Sequence, residues 1–218
     1  MRPPPPDDLT PWFLTLADLG QPFDWSDFFG NQHPVVLDVG SGRGLFLVNA
    51  AVDNPQTNHV GIEIDYREGR RAARRLKKRD MANARVLGGD AAVALEQIIA
   101  ESSIAEVHVY FPDPWWKRRH RRRRLFTDEF VDLVARVLEP DGELHCWTDV
   151  EDYFEVIEVL IDHHPLFESL PPPCERAADH DMDYRTSFER KRRQAGCTIH
   201  RGRWRRISDD GRCEPGLS

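Results

Sequence analysis

Residues 34–51 read Pro34-Val-Val-Leu-Asp-Val-Gly-Ser-Gly-Arg-Gly-Leu-Phe-Leu-Val-Asn-Ala-Ala51. The first six residues are nearly all apolar, which predicts a short buried strand that ends near Val39. A glycine-rich turn follows, and the residues after Gly44 have the composition of a helix. This order of strand, glycine-rich turn and helix is typical of the opening of a nucleotide-binding α/β fold.

The spacing of the glycines separates two kinds of nucleotide site. A dinucleotide fingerprint reads GxGxxG and would need a glycine at position 45, where this chain has Leu45. The chain reads GxGxG after the acid Asp38, which resembles the first motif of S-adenosylmethionine-dependent methyltransferases. Gly40 and Gly42 carry no Cβ, so the backbone can approach a methionine–ribose group that has no phosphate. The alternative for this turn is a plain connection between a strand and a helix.

Two further acids follow predicted strands. Glu63 comes at the end of the second strand, where a carboxylate can accept hydrogen bonds from both ribose hydroxyls. An acid at this point can instead cap the next helix, and Asp65 is the other candidate for that cap. Asp90 follows a third predicted strand, residues 84–88. It suits a hydrogen bond to an adenine amino group, and it suits an N-cap equally well.

A second distinctive stretch reads Phe111-Pro-Asp-Pro-Trp-Trp-Lys117 and continues into a basic run, residues 118–124. It follows an apolar run that predicts a buried strand. Each proline restricts its own φ and the residue before it, so Asp113 is predicted on a stiff turn just past the strand. Ligands of open α/β sheets bind at that edge. A fixed acid, two tryptophans and a cationic run together favour a site for a base attached to a phosphate backbone.

The charges of the chain are segregated. The net charge of −7 argues by itself against a nucleic-acid partner. Three windows, 67–79, 117–124 and 185–206, nevertheless hold 24 of the 30 Lys and Arg residues. Local positive fields of this kind suit phosphate contacts, and solvated helix or strand faces are the alternative for each cluster.

Composition narrows the class of protein further. A hydrophobic content of 40% is ordinary for a globular chain. The first seven residues have no apolar h-region and no stretch approaches the length of a membrane span, so we expect neither a secretory signal nor a membrane anchor. The cysteines show no CxxC and no histidine pairing at zinc spacing. We therefore expect reduced thiols, a cytoplasmic location and no metal site.

The order of the motifs makes one resemblance specific. Over roughly residues 34–204 the chain carries, in order, GxGxG after a strand, Gly61-Ile-Glu63, Gly89-Asp-Ala91, Phe111 to Lys117 with its basic run, Thr148-Asp149 and Thr186-Ser-Phe-Glu189. In this order it resembles the bacterial tRNA (guanine-N7-)-methyltransferase family. The resemblance implies S-adenosylmethionine as cofactor, tRNA as partner and methylation of the variable-loop guanine, position 46, at N7.

The resemblance also implies an architecture. We expect an α/β, Rossmann-like class I methyltransferase fold with a mostly parallel seven-stranded sheet and helices on both faces. Alternating strands and helices along the chain support the parallel sheet independently. Residues 1–33 are expected to form an N-terminal extension with irregular structure or a short helix. Residues 34–206 are expected to form the methyltransferase domain, and residues 207–218 are expected to form a disordered tail. Monomer and homodimer both stay open.

The resemblance assigns roles to individual residues. The cofactor is expected to lie among Asp38, Gly40, Gly42, Glu63, Asp90 and Asp113, and Asp113 is also the candidate catalytic residue. The tRNA is expected to contact Lys117, Asp149, Thr186, Ser187, Phe188 and Glu189. The chain departs from the family pattern twice: Asp38 stands where Glu is common, and Trp116 stands where His or Pro is common.

The chemistry of guanine explains what the acid at Asp113 would do. Guanine N7 already carries a lone pair, so it needs no deprotonation before it attacks a sulfonium methyl group. Methylation makes the purine a cation, which a preoriented carboxylate stabilises most in the transition state. Trp115 or Trp116 could stack on the base, and packing of a lid is the alternative for both.

Two other functions compete with this hypothesis. An amino-methyltransferase acting on adenine or cytosine carries a similar Asp/Asn-Pro-Pro-aromatic turn, whereas here Asp113 is followed by a single proline, Pro114. A nucleic-acid-binding protein without catalysis is the third candidate, and the presence of all the expected acids and glycines argues against it.

Overall fold

Eight strands form one sheet in the part of the chain that the structure describes. The structure is a computed structural model that describes residues 8–20, 23–174 and 184–208. The strands are β1 Phe13–Thr15, β2 Val35–Val39, β3 Asn58–Glu63, β4 Ala84–Gly88, β5 Ile104–Tyr110, β6 Leu138–Thr148, β7 Phe167–Ser169 and β8 His200–Arg206. Their order in the sheet is β1-β4-β3-β2-β5-β6-β8-β7. Neighbours from β1 to β6 pair in parallel, and β8 is antiparallel to both β6 and β7.

Seven α-helices connect the strands in the described part of the chain: α1 Trp25–Phe29, α2 Leu45–Asp53, α3 Tyr66–Lys78, α4 Ala91–Gln97, α5 Asp128–Val137, α6 Glu151–Asp162 and α7 Ser187–Gln194. Several of them begin where a side chain accepts a hydrogen bond from a free backbone N–H. Asp65 caps α3, Asp90 caps α4 and Thr127 caps α5. None of the described helices is both long enough and apolar enough to cross a membrane.

The two faces of the central strands differ because polar and apolar residues alternate along them. On one face, Leu37, Val107 and Leu144 are fully buried in the main core together with α4, α5 and α6. Each leucine buried in this way stabilises the fold by about 1.5–3 kcal/mol relative to exposure. On the other face, α2 and α3 form a second apolar cluster with β4. Helices therefore cover both faces of a mostly parallel sheet, and the predicted fold class is confirmed.

The sheet has eight strands where the sequence predicted seven, because the N-terminal segment supplies an edge strand. In β1, Phe13 pairs with Val86 of β4. A Cβ on Gly88 would lie 2.7 Å from the Phe13 ring, and a Cβ on Gly69 would lie 3.0 Å from it. Glycine in β4 and in α3 thus makes the space that the ring fills. The predicted short helix also exists, as α1, but the strand was missed because it is only three residues long.

The C-terminal region adds the antiparallel strand and its outer neighbour. Trp204 of β8 is buried, and its indole donates to Asp162 of α6 at 2.7 Å. Ile207 donates to the Leu166 carbonyl at 2.9 Å, so the backbone is still bonded one residue after the predicted domain boundary. Residues 209–218 of the predicted tail, and residues 1–7 of the predicted extension, lie outside the described residues.

Candidate active site

The glycine-rich turn after β2 is closed by backbone hydrogen bonds to β3. The N–H groups of Gly40 and Ser41 both donate to the Ile62 carbonyl, at 2.8 and 3.2 Å. Gly40 has a φ of +77°, which residues with a side chain rarely adopt. Apart from its chain neighbours, no heavy atom of the described residues lies within 4 Å of where its Cβ would be. The turn therefore leaves open space beside its backbone, as a ligand cradle requires.

Glu63 joins this turn to the start of α3. One carboxylate oxygen accepts from the Gly42 N–H at 2.7 Å, and the other accepts from the Asp65 N–H at 2.8 Å. Asp65, not Glu63, caps α3 by accepting from the Arg67 N–H. Each oxygen of Glu63 keeps a second lone pair. The carboxylate is thus held in place by two backbone N–H groups, and it can still accept hydrogen bonds from hydroxyl groups of a ligand.

Asp38 is a buried acid on the neighbouring strand. Its residue is 4% exposed, and in the sheet it lies between Gly61 of β3 and His108 of β5. Burial raises the pKa of Asp38 to about 8, and the Glu63 carboxylate adds to the rise. A cationic ligand beside Asp38 would favour its ionised form. Two acids close to one glycine-rich turn therefore suit a ligand that carries positive charge.

Asp90 completes the row of acids along this edge of the sheet. It is exposed and accepts from the Ala92 N–H at 2.9 Å, so the capping alternative is correct. Gly89 donates to the Glu63 carbonyl at 3.0 Å, which keeps Asp90 near the end of β3. A capping carboxylate keeps further lone pairs, so a ligand role for Asp90 stays a prediction.

The Phe111–Lys117 stretch forms a strained turn immediately after β5. Phe111 and Trp115 both have positive φ angles, +55° and +42°, which bulky residues rarely adopt. The turn is held at one end by the Phe111 N–H, which donates to the Trp147 carbonyl at 2.7 Å. At the other end the Arg124 guanidinium donates to the Pro114 carbonyl at 2.8 Å. Strain of this kind is often found at ligand sites.

Asp113 lies at the exposed middle of this turn. Within residues 8–20, 23–174 and 184–208, it has no hydrogen bond and no ion pair with another residue. β5 lies next to β2 in the sheet, so this turn and the glycine-rich turn share one edge. Among the described residues, then, no partner neutralises the Asp113 carboxylate, and its turn follows the strand next to the one that leads to Gly40.

The two tryptophans of the turn have different environments. The Arg123 guanidinium lies 5.2 Å from the centre of the Trp115 ring, a cation–π distance, and Trp115 also packs edge-on against His120. Trp116 is 64% exposed. Trp115 thus packs within the turn whereas Trp116 is exposed, and stacking of either ring on a base stays a prediction. Lys117 follows and is exposed.

The predicted substrate residues after β6 and in α7 are joined by ion pairs. The Arg192 guanidinium lies 2.6 Å from the Asp149 carboxylate. Glu189 is buried and accepts from the Arg185 N–H at 2.7 Å, with Arg193 and Arg201 at 3.4 and 3.7 Å. These contacts give Asp149 and Glu189 a structural part in placing α7.

The start of α7 lies against the Phe111 turn. Thr186 is the N-cap and accepts from the Glu189 N–H at 2.9 Å, and Ser187 is the first helical residue. Phe188 is 47% exposed, and its ring centre lies 4.9 Å from that of Phe111. The structure thus brings the late Thr186–Glu189 motif to the turn that carries Asp113. Whether these side chains bind substrate stays a prediction.

Arg185 is a residue that the sequence interpretation missed. Its guanidinium lies 5.3 Å from the centre of the Trp147 ring and 5.8 Å from that of Phe46, and it contacts the Tyr110 hydroxyl at 3.4 Å. It therefore fastens the segment before α7 to β5 and β6. Its position directly before the Thr186 motif was the only available signal.

The chain is similar to known proteins both in sequence and in fold. A family model described as "Putative methyltransferase" matches residues 32–201. A tRNA (guanine-N(7)-)-methyltransferase of Rhodopirellula baltica is 41% identical over 213 residues, which cover 95% of this chain and 79% of that protein. An enzyme of the same name from Geobacter metallireducens is 38% identical over 144 residues, 66% of this chain and 68% of that protein.

Solved structures share the fold at low sequence identity. A 16S rRNA (adenine(1408)-N(1))-methyltransferase from Catenulisporales acidiphilia, a mutant with cosubstrate SAM, gives a TM-score of 0.56 at 19% identity, covering 85% of this chain and 91% of that one. An aminoglycoside resistance methyltransferase gives a TM-score of 0.54 at 17% identity, and the match covers 83% of this chain and 91% of that one. These structures show the class of fold. The family match and the relative from Rhodopirellula baltica show that the chain belongs to the tRNA (guanine-N(7)-)-methyltransferase family.

Proposed function

We propose that this protein transfers the methyl group of S-adenosylmethionine to N7 of a guanine in tRNA, and that the guanine is the one at position 46 in the variable loop. The observation that carries the proposal is the position of Asp113. Its carboxylate is exposed, lacks an ion pair among the described residues, and lies at the same sheet edge as the glycine-rich turn. Membership of the family supports tRNA as the substrate.

The residues around the turn fit S-adenosylmethionine. The open space beside Gly40 accommodates the cofactor, and Glu63 keeps lone pairs for the ribose hydroxyls. Asp38 is a buried acid in position to meet a positively charged group, and Asp90 serves the adenine amino group. When bound, the cofactor supplies a methyl group on a sulfonium centre.

In this proposal the protein contributes alignment and charge to the transfer, and no general base is needed. The N7 lone pair forms the new bond to the methyl carbon while the carbon–sulfur bond breaks, so no proton leaves N7. The purine becomes a cation during this step. Asp113, placed at the edge of the base, stabilises that charge more in the transition state than in the substrate. The protein's other contribution to the rate is to hold the base in line with the methyl group.

Positive charge and α7 hold the tRNA. We propose that Lys117 on the Asp113 turn and Thr186, Ser187 and Phe188 at the start of α7 contact the tRNA directly. Asp149 after β6 and the buried Glu189 of α7 act indirectly. Phe188 is the exposed aromatic of this group, and an unstacked base can pack against such a ring. Asp149 and Glu189 act by placing α7, through their ion pairs with Arg192 and Arg193. We further propose a cytoplasmic monomer or homodimer.

The decisive experiment is methyl transfer to unmodified tRNA. Purified protein is incubated with the tRNA and labelled S-adenosylmethionine, and the labelled nucleoside is then identified. The expected product is N7-methylguanosine, and borohydride and aniline should cleave the chain at that nucleoside. A label in N6-methyladenosine or an N-methylcytidine would support an amino-methyltransferase. Salt-sensitive tRNA binding without heat on addition of S-adenosylmethionine would support a binding protein.

A further inference from the structure

Two neighbouring strands of the sheet carry the same unusual pattern. β5 reads Glu106-Val-His-Val-Tyr110 and β6 reads Glu143-Leu-His-Cys-Trp147. The strands pair in register, so that each residue of one pattern lies beside the equivalent residue of the other. The intervening residues, Val and Cys among them, are buried in the main core on the opposite face. Two glutamates and two histidines therefore form a small array on one face of the sheet.

Three side chains of this array converge. The rings of His108 and His145 stack, with centres 4.6 Å apart and planes 19° apart. Glu106 contacts the Nε2 atom of His108 at 2.8 Å. One ligand atom from each of Glu106, His108 and His145 lies within 4.8 Å of the other two. Two imidazoles and one carboxylate at such distances can bind one metal ion after small shifts of the side chains.

The surroundings of the three side chains match those of metal sites. A ligating histidine usually bonds its other ring nitrogen to a partner, and the Nδ1 atom of His108 lies 2.8 Å from the Tyr110 hydroxyl. The Tyr110 hydroxyl is therefore placed to fix the orientation of the His108 ring.

The charges around the array limit which ions can bind. Arg203 makes two contacts with the Glu143 carboxylate, at 2.7 and 2.6 Å, and so neutralises it. Glu106 is then the carboxylate left for an ion, and Arg185 lies close enough to influence it. One carboxylate near an arginine does not hold Mg²⁺ or Ca²⁺, which need several oxygen ligands. Two imidazoles select Zn²⁺, Co²⁺, Ni²⁺ or Cu²⁺.

The array can be reached from solvent. Glu106 and His108 line a cavity of about 980 Å³ that also borders α2. The cavity gives an ion an entry path and leaves room for water in the remaining coordination positions. Neither Gly40 nor Asp113 lines this cavity.

We propose that Glu106, His108 and His145 bind one divalent transition-metal ion of the Zn²⁺ class, with water as the remaining ligand. The ion links β5 to β6 directly below the Phe111 turn, and so supports the strands that carry Asp113 and Asp149. This inference does not depend on the proposed methyl transfer. It departs from the sequence prediction of no metal site, because His145 is far from Glu106 and His108 in the chain and meets them only through the pairing of β5 with β6.

Cobalt provides the test. Full-length, tag-free protein is stripped with a chelator and titrated with Co²⁺, and visible absorption and calorimetry are recorded. The expected result is a visible d–d spectrum at about one equivalent, displaced by Zn²⁺, and a higher Tm with either ion. Glu106→Gln and His145→Gln should each weaken binding by about 100-fold or more, since each removes a ligand. Glu106 is partly exposed, so its variant is expected to fold even if the other does not.

His164→Gln is the matched control, because His164 and Asp132 form another histidine–carboxylate pair at 3.0 Å. This variant should bind Co²⁺ as the parent does. No binding by the parent would overturn the proposal. So would binding that Glu106→Gln retains, binding lost in His164→Gln, or the near-ultraviolet charge-transfer band of a cobalt–thiolate bond, which would place the ion at a cysteine such as Cys174.

Discussion

The ring of Phe188 in α7 packs against the ring of Phe111 in the turn after β5, with their centres 4.9 Å apart. This contact joins the part of the protein proposed to bind tRNA to the turn that carries the proposed catalytic acid. Because Phe188 is half exposed, the pair can also form one wall for an incoming base. Placement of α7 and placement of Asp113 are thereby connected.

Phe188→Ala should therefore reduce kcat/KM for tRNA and leave cofactor affinity unchanged. The lost ring contact is worth about 0.5–1.5 kcal/mol, which corresponds to roughly a 2- to 13-fold decrease. Steady-state kinetics with tRNA and calorimetry with S-adenosylmethionine make the comparison. Val159→Ala, at an exposed position of α6, is the control. Equal losses in tRNA turnover and cofactor affinity would contradict a role limited to α7.

Asp113→Asn should reduce kcat by about 100-fold or more if its charge stabilises the methylated purine. The Tm should change little, because Asp113 has no hydrogen bond or ion pair within the described residues. Single-turnover rates with saturating tRNA and cofactor measure the effect. Asp152→Asn, an exposed acid in the first turn of α6, should behave like the parent. Near-normal turnover of Asp113→Asn would exclude the electrostatic role.

The affinity for S-adenosylmethionine should rise with pH between about 6.5 and 8.5. Burial, aided by Glu63, raises the pKa of Asp38 to about 8, so this carboxyl is neutral below that value and ionised above it. A cationic cofactor binds the ionised form more tightly, with a slope of at most about tenfold per pH unit for one group. Calorimetry across this pH range, with Asp38→Asn as the control, isolates the contribution of Asp38 to the affinity for S-adenosylmethionine. An identical pH profile in the variant would assign the effect to another group.

The same raised pKa predicts the pH dependence of stability. Between the ordinary carboxyl pKa of 3.8 and about 8, the folded protein holds a proton on Asp38 that the unfolded chain releases. Stability contributed by this group is therefore lost as pH rises through that window. Asp38→Asn should flatten the decrease, and denaturant unfolding at several pH values would reveal it. A parallel curve for the variant would show that Asp38 ionises normally.

Two glycines of one turn should separate stability from binding. Gly44 has a φ of +68°, and a Cβ there would lie 2.7 Å from the Ala72 Cβ, so Gly44→Ala should destabilise the protein by about 2–4 kcal/mol. Gly40→Ala meets only the backbone cost of about 1–2 kcal/mol, since its Cβ would point into open space. It should instead weaken cofactor binding. Urea unfolding measures the stability of each variant, and calorimetry measures its affinity for S-adenosylmethionine. Equal losses of stability in Gly44→Ala and Gly40→Ala would contradict the different surroundings of the two Cβ positions.

Local patterns in the sequence were sufficient for the class of fold and for the turns that carry the acids. The apolar run before Gly40, the helix caps and the paired prolines around Asp113 depend on neighbours within a few residues, so they can be interpreted without knowing the rest of the chain. The prediction of helices on both faces was right for the same reason. The edge strand at Phe13 was missed because it is only three residues long, and the space that the Phe13 ring fills is made by distant glycines in β4 and α3.

Contacts between distant segments depended on strand order and register, which no local pattern encodes. The pairing of β5 with β6 brings Glu106 and His108 to His145, and the docking of α7 brings Phe188 to Phe111. The burial of Glu189 likewise follows from arginines in α7 and β8. Side-chain type is a property of the sequence, but burial, charge pairing and pKa arise only when the folded chain brings remote groups together and excludes water from them.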